Sequence, residues 1–297
     1  MSDPIPESWT RIRSDELLAA VDPMGAQLSL LRDVEGRDLL WNGDPAFWTG
    51  RAPLLFPIVG SLAGGQYRLG TRQCVLPRHG FARRRRFELL ESSDAAATFI
   101  LRADDATLAV YPFHFELEVH FALRGSLLSV STRVHNTGAG ILPASFGYHP
   151  AFRWPLPYGE SRDEHYLEFE MDEPAPVRRL DHDGLLAPAS HPTPVQGRRL
   201  ALRDSLFDED ALIIDQLHSR RVSYGASRGP RLRIELANTP FLGLWSKPGA
   251  PFICIEPWHG ISDPQGFLGE FTSKPGTFQL APGGVQQLDM QLELLAP

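Results

Sequence analysis

Cysteine is scarce in this chain: two residues, Cys74 and Cys254, among 297. Two thiols so far apart make no disulfide framework, which fits a reducing compartment. No apolar run approaches the ~20 residues of a membrane-spanning helix. The first residues, 1–6, have neither the basic nor the apolar region of a secretory leader, so a cytoplasmic location is expected. Cys-x-x-Cys, His-x-His and His-Glu-x-x-His are all missing, which removes the common zinc spacings; no metal is expected. Gly-x-Ser-x-Gly occurs at 225–229, but Pro230 and the alternating stretch 231–236 follow it instead of a helix, so the strand-to-helix elbow of a serine hydrolase is not expected. No Gly-rich loop follows a strand and opens a helix, so no nucleotide and no cofactor is expected. Positive charge is in deficit: 29 Lys and Arg against 36 Asp and Glu leave a formal charge of −7, which argues against a nucleic-acid surface. Fixed-period repeats, low-complexity tracts and helical periods longer than a turn or two are absent as well.

What is present is β patterning. In 113–123 every odd position is apolar (Phe113, Phe115, Leu117, Val119, Phe121, Leu123), while the even ones are His, Glu, Glu, His and Ala. That is a strand with one buried and one wet face. Leu128, Val130, Thr132 and Val134 repeat the pattern after a turn, and 231–236 and 288–294 alternate in the same way. Prolines cut the apolar stretch 51–60, which predicts an edge segment or a cleft wall. The stretch 154–194 reads as long loops with a hairpin, and 204–216 has room for one helical turn. The pattern predicts an all-β fold of many short antiparallel strands, in a single domain over 1–297.

Two apolar runs, 241–245 and 252–255, flank a Lys-Pro-Gly-Ala-Pro turn and read as a hairpin. The second run ends on Glu256, followed by Pro257 and Trp258. Phe252, Cys254 and Glu256 share one strand face, and Pro257 holds Glu256 extended. A buried carboxylate needs a polar answer. Either it works in a site, or it pairs structurally with an Arg or Lys. Two histidines have unusual frames. His79 sits between Pro77 and Gly80 on a constrained turn. His149 follows Gly147 on the face opposite Phe146 and Tyr148, and Gly147 predicts close approach of a ligand to the backbone. Together these residues predict an acid–base site, with Trp48, Trp154, Trp245 and Trp258 as candidate walls for an amphipathic ligand such as a sugar. The run Arg83-Arg84-Arg85-Arg86 reads as a solvated strand or as a phosphate-binding patch.

Four segments carry a family resemblance: 51–60 with Arg51 and Leu55-Phe56-Pro57, His79-Gly80-Phe81-Ala82-Arg83, Gly147-Tyr148-His149-Pro150, and 244–258 ending in Glu256-Pro257-Trp258. In this order they resemble the aldose 1-epimerase (galactose mutarotase-like) family, nearest to its LacX-like branch. The resemblance implies a large antiparallel β-sandwich with an open sugar cleft, no metal, and interconversion of α and β anomers. It assigns Glu256 as general base, His149 as general acid and His79 as a second catalytic histidine near the sugar. It places Arg51 in the cleft and Asp210 on a sugar hydroxyl, with Asp208, Glu209 and Asp215 competing for that last role. Trp245 and Trp258 are expected to touch substrate. The ligand is expected to be a sugar or sugar phosphate, with no nucleic-acid or membrane partner, on a monomer or homodimer. A carbohydrate-binding module without turnover is the remaining alternative. The pair Glu256–His149 is expected to work charged, each favouring the other's ion.

Overall fold

The alternation of 113–123 becomes the ten-residue strand Phe115–Arg124, with odd positions buried and even ones partly exposed until Arg124. The computed structural model describes residues 5–297, so the start of the leader reading lies outside it. Phe115–Arg124 pairs antiparallel with Leu127–Asn136, which pairs in turn with Val285–Leu295. These long strands sit inside a nine-stranded sheet whose edges are Arg199–Ala201 and Glu88–Ser92. A second sheet has eight strands. It runs from Leu186–His191 through Leu212–Ile214, Phe241–Trp245, Phe252–His259 and Phe146–Tyr148 to Leu54–Leu55. The proline-cut segment therefore does end up as an edge, where a missing N–H costs no ladder bond.

The two sheets pack face to face, giving an all-β antiparallel sandwich. Tyr148 shows the contact directly. Its strand belongs to the eight-stranded sheet, yet its hydroxyl lies 2.8 Å from the Leu288 carbonyl and 2.8 Å from Thr132 Oγ1, both on the other sheet. Burying a phenol is cheap only with such partners. Around it, Phe56, Phe115, Phe121, Phe152, Ile253 and Ile255 belong to one apolar cluster drawn from both sheets.

The far face of the eight-stranded sheet carries two smaller apolar clusters. One contains Leu55, Val59, Ile213 and Trp258; the other contains Trp41, Ala151, Phe252 and Cys254. Glu256 belongs to neither, and its strand places it between Cys254 and Trp258 on that same face. Among the described residues helix is confined to short pieces, the longest being Asp105–Val110, closed by a capping box between Asp104 and Thr107. Asp204–Phe207 is the expected single turn, and Leu212–Ile214 the strand after it. No helix among the described residues is long and apolar enough to cross a membrane.

One element differs from expectation. The arginine run does not form a strand: Ala82–Arg84 is a single 3-10 turn. The turn aims Arg83 inward and leaves Arg84 and Arg86 exposed, while Arg85 pairs with Asp104. Four like charges cannot share one face at close range, and the turn separates them.

Candidate active site

Strand register brings the two central residues together. Gly147 pairs with Trp258, and Ala151 pairs with Cys254, on the same side of Phe252–His259. Counting inward from both pairs, His149 falls opposite Glu256. Directly opposed residues of an antiparallel pair have Cβ atoms about 4.5–5.5 Å apart, and here His149 Nε2 lies 3.2 Å from Glu256 Oε2. Both are buried, Glu256 at 1% exposure. The contact misses hydrogen-bond geometry, so Glu256 Oε2 has no partner, and neither has His149 Nδ1.

On the other side of Glu256 the neighbouring position is Gly243. The two glycines clear space, but for an indole. A Cβ on Gly147 would come within 2.6 Å of Trp258 Cδ1, and one on Gly243 within 2.4 Å of Trp258 Cη2. The expectation that Gly147 bares the strand for a ligand is thereby corrected. Trp258 fills that space and lies flat across both neighbouring strands.

His79 is held differently. It has φ +67° and is followed by Gly80 at φ +69°, a left-handed pair. A Cβ on Gly80 would meet the Phe56 carbonyl oxygen at 2.2 Å, so the turn packs directly on backbone. The His79 N–H donates to the Gly60 carbonyl (2.8 Å), and the Gly60 N–H donates back to His79 Nδ1 (3.1 Å). With Nδ1 accepting, the ring's proton is on Nε2. The His79 and His149 rings meet edge to face at 5.7 Å.

These residues line a cleft of about 320 Å³ together with Asp210, Trp245 and Trp258. The volume falls within the roughly 300–1,000 Å³ of small-molecule sites. Asp210 sits at φ +62°, its Oδ1 accepting from the Ala211 N–H and its Oδ2 3.9 Å from Arg78 Nη2. Of its competitors, Asp215 pairs with Arg178 instead, and Asp208 and Glu209 do not line the cleft. Trp245 stands edge-on to His149 at 6.1 Å.

Arg51 is not in this cleft. Its guanidinium lies over the Trp9 ring and donates to the Ser29 carbonyl (2.8 Å), in a separate hollow of about 120 Å³. Its carbonyl accepts from the Ala151 N–H, and its own N–H donates to Gln27 Oε1. Trp154 is elsewhere too: it is buried under the Arg162 guanidinium and donates to the Arg162 carbonyl. The arginines that do line the cleft are Arg78 and Arg83. Arg83 donates to the Arg78 carbonyl (2.8 Å), and its buried Nε has no partner. Of the candidate tryptophan walls, Trp48 does line the cleft, its indole stacked on the His149 ring at 5.0 Å and 27°. Trp48 was visible in sequence only as one of several tryptophans, and Arg78 only as the neighbour of His79. Nothing local marks which of these side chains the loops carry to one place.

Electrostatics also departs from the expected charged pair. Burial pushes the Glu256 carboxyl well above the usual range, opposed by Arg78. Burial pulls the His149 imidazole down to about 3, with Arg83 and Arg78 adding to it. His79 is lowered as well, first by burial and then by His149 and the two arginines. Desolvation outweighs mutual attraction here because neither ion has enough polar contacts to replace water. Both shifts favour the uncharged form of the pair, with the shared proton on the carboxyl.

A family model described as aldose 1-epimerase matches residues 9–278. Two curated relatives are the plasmid and chromosomal LacX proteins of Lactococcus lactis subsp. lactis. Each is 34% identical over 261 residues, which is 84% of this chain and 87% of the relative. Among solved structures, a galactose mutarotase-like protein from Lactobacillus casei ATCC 334 superposes with a TM-score of 0.90 at 30% identity, covering 97% of this chain and 100% of that one. A galactose mutarotase related enzyme from Lactobacillus acidophilus gives 0.89 at 29% identity, with 97% of both chains covered.

Proposed function

The chain belongs to the aldose 1-epimerase family, and we propose that it interconverts the α and β anomers of an aldose by acid–base ring opening and closure. The observation that carries this reading is the cross-strand pair Glu256–His149, buried on a cleft floor with unpartnered polar atoms. Ring opening removes a proton from the anomeric hydroxyl and delivers one to the ring oxygen. In the assigned roles Glu256 takes the first and protonated His149 gives the second. The pair then holds its proton on Glu256, with His149 neutral. That is the form burial favours in the empty cleft. Opening thus discharges two buried ions, and sugar hydroxyls must hold the charged form beforehand by hydrogen bonding. The aldehyde turns about its first carbon–carbon bond, and closure on the other face reverses both transfers. Each positioned transfer is worth about 10²–10⁴-fold. His79 acts as a neutral Nε2–H donor to a sugar oxygen, since Gly60 occupies its other nitrogen. Asp210 accepts from a hydroxyl, and Trp245 and Trp258 pack on the apolar faces of the ring.

Freshly dissolved pure anomers of a panel of aldoses, followed by polarimetry or proton NMR, test this reading. Catalysed equilibration of at least one sugar is expected. Sugar binding without acceleration would instead identify a carbohydrate-binding module.

Arg78 and Arg83 support a second reading, in which the aldose carries an anionic group such as a phosphate. Burial favours the uncharged forms of Glu256 and both histidines, which leaves two guanidinium groups facing one carboxylate, Asp210. A hexose 6-phosphate should then equilibrate faster than the free hexose, by a margin that shrinks as salt rises. Equal rates would leave the neutral aldose as substrate.

A further inference from the structure

The strand that carries Glu256 carries Cys254 two positions earlier, on the same face. The mutarotase chemistry has no use for that thiol. One ligand atom from each of Cys254, Glu256 and His149 lies within 4.8 Å of the others. Around a tetrahedral zinc ion such atoms stand about 3.3–3.6 Å apart, given bonds of about 2.0–2.3 Å. The His149–Glu256 contact of 3.2 Å is already at that spacing. The sulfur has at most about 1.2–1.5 Å to travel, the difference between 4.8 Å and that spacing. A second observation points to a ligand here: Glu256 Oε2, the carboxyl oxygen of that contact, is buried and has no hydrogen-bond partner.

We propose that Cys254, His149 and Glu256 form a latent site for a thiophilic divalent cation of the zinc class, which blocks the cleft while it is bound. Cys254 is fully buried among Trp41, Ala151 and Phe252, while His149 and Glu256 line the cleft from which a cation would come. Binding forms a metal–sulfur bond as the thiol proton leaves to solvent. The cation then occupies the base and the acid together, with its fourth position open to the cleft for water or a sugar oxygen. The spacing motifs of zinc proteins are absent because the site is two-dimensional. A Cys-x-Glu pair lies on one strand and the histidine on its neighbour. A soft cation suits this set because thiolate and imidazole prefer it to magnesium or calcium.

The test is a cobalt(II) titration of the metal-free full chain, read by absorbance without sugar, so that it stands apart from the mutarotase reading. One cobalt per chain is expected, with the visible bands of a tetrahedral ion and a near-ultraviolet thiolate-to-cobalt band that zinc abolishes. Cys254→Ser should lose the near-ultraviolet band and weaken binding by more than the roughly 10–100-fold typical of losing an outer partner. Cys74→Ser should keep the band, since Cys74 lies on another sheet. If Cys254→Ser does not fold, His149→Asn and Glu256→Gln decide: each should weaken cobalt binding while leaving the thiolate band. The proposal is overturned by a titration without the thiolate band, by a band that survives Cys254→Ser, or by binding indifferent to both other variants. The blocking role rests on the mutarotase reading. Zinc should inhibit competitively with sugar and release on chelation; a chelated enzyme that is inactive and revived by zinc would refute it.

Discussion

At the scale of single residues, the site is a problem of where one proton resides. Glu256→Gln and His149→Asn should each lower kcat by about 10²-fold or more, the scale of a lost acid or base. His79→Asn should act more on KM than on kcat, because a fixed donor serves ground and transition states alike. Stopped assays on pure anomers separate the two parameters, after circular dichroism has shown all three variants folded. The assignment fails if His149→Asn turns over normally while His79→Asn is dead. The pH profile follows from the directions of the shifts. The pair gains a second proton only as pH falls toward about 3, where His149 titrates in the empty cleft. It loses its proton only above the ordinary carboxyl range. So kcat/KM should be level through the normal imidazole range near 6.5, with limbs that belong to the pair. An acid limb centred near 6.5 would show that burial does not control His149. Stability carries the matching signs. Below 6.5 an unfolded imidazole takes a proton that buried His79 and His149 refuse, so stability falls as pH drops through that range. Above 4.5 an unfolded carboxyl ionises while Glu256 keeps its proton, so its contribution falls as pH rises. Glu256→Gln should therefore gain on the wild type in melting temperature as pH rises, and a constant difference would contradict the raised carboxyl.

At the scale of elements, the site depends on three adjacent strands keeping register. Gly147 and Gly243 flank Phe252–His259, and the indole of Trp258 lies over both. Gly243→Ala puts a methyl group inside that ring's contact distance, and overpacking of this kind costs about 1–3 kcal/mol. Urea denaturation should show that loss, accompanied by a raised KM as Trp258 is displaced into the cleft. Adding Trp258→Leu should recover much of the stability but not the KM, a non-additivity expected of side chains in direct contact. Simple additivity of the two changes would show that Gly243 matters for some other reason. The turn at His79 and Gly80 is the other sensitive element. Its left-handed backbone packs on the Phe56 carbonyl, leaving no room for a Cβ at Gly80.

At the scale of the molecule, a cleft built on the outer face of one sheet needs the other sheet as its backing. Tyr148 reaches across to Leu288 and Thr132 from the residue just before His149. One apolar cluster includes residues of both sheets and of the N-terminal strands, such as Ile12 and Leu17. A single cooperative unfolding transition is therefore expected by calorimetry, with activity lost in the same step. Two separated transitions would divide the chain into more than one folding unit.

The sequence by itself determined the fold class, because a period of two is a local property that survives into every long strand, from Phe115–Arg124 to Val285–Leu295. It also singled out His79, His149, Asp210, Trp245, Glu256 and Trp258, all of which line one cleft. Their frames of glycine and proline, and the segments they share with a known family, are readable in one dimension. The tertiary structure decided what depends on distance through space. It put Arg51 over Trp9, brought Arg78 and Arg83 to the cleft in its place, and kept Trp48 but not Trp154 among the walls. It gave the room beside Gly147 to Trp258, and it set Cys254 within reach of His149 and Glu256. Above all it decided the charge of the pair. Residue types state which groups can ionise, but the cost of ionising them depends on how much water the fold removes.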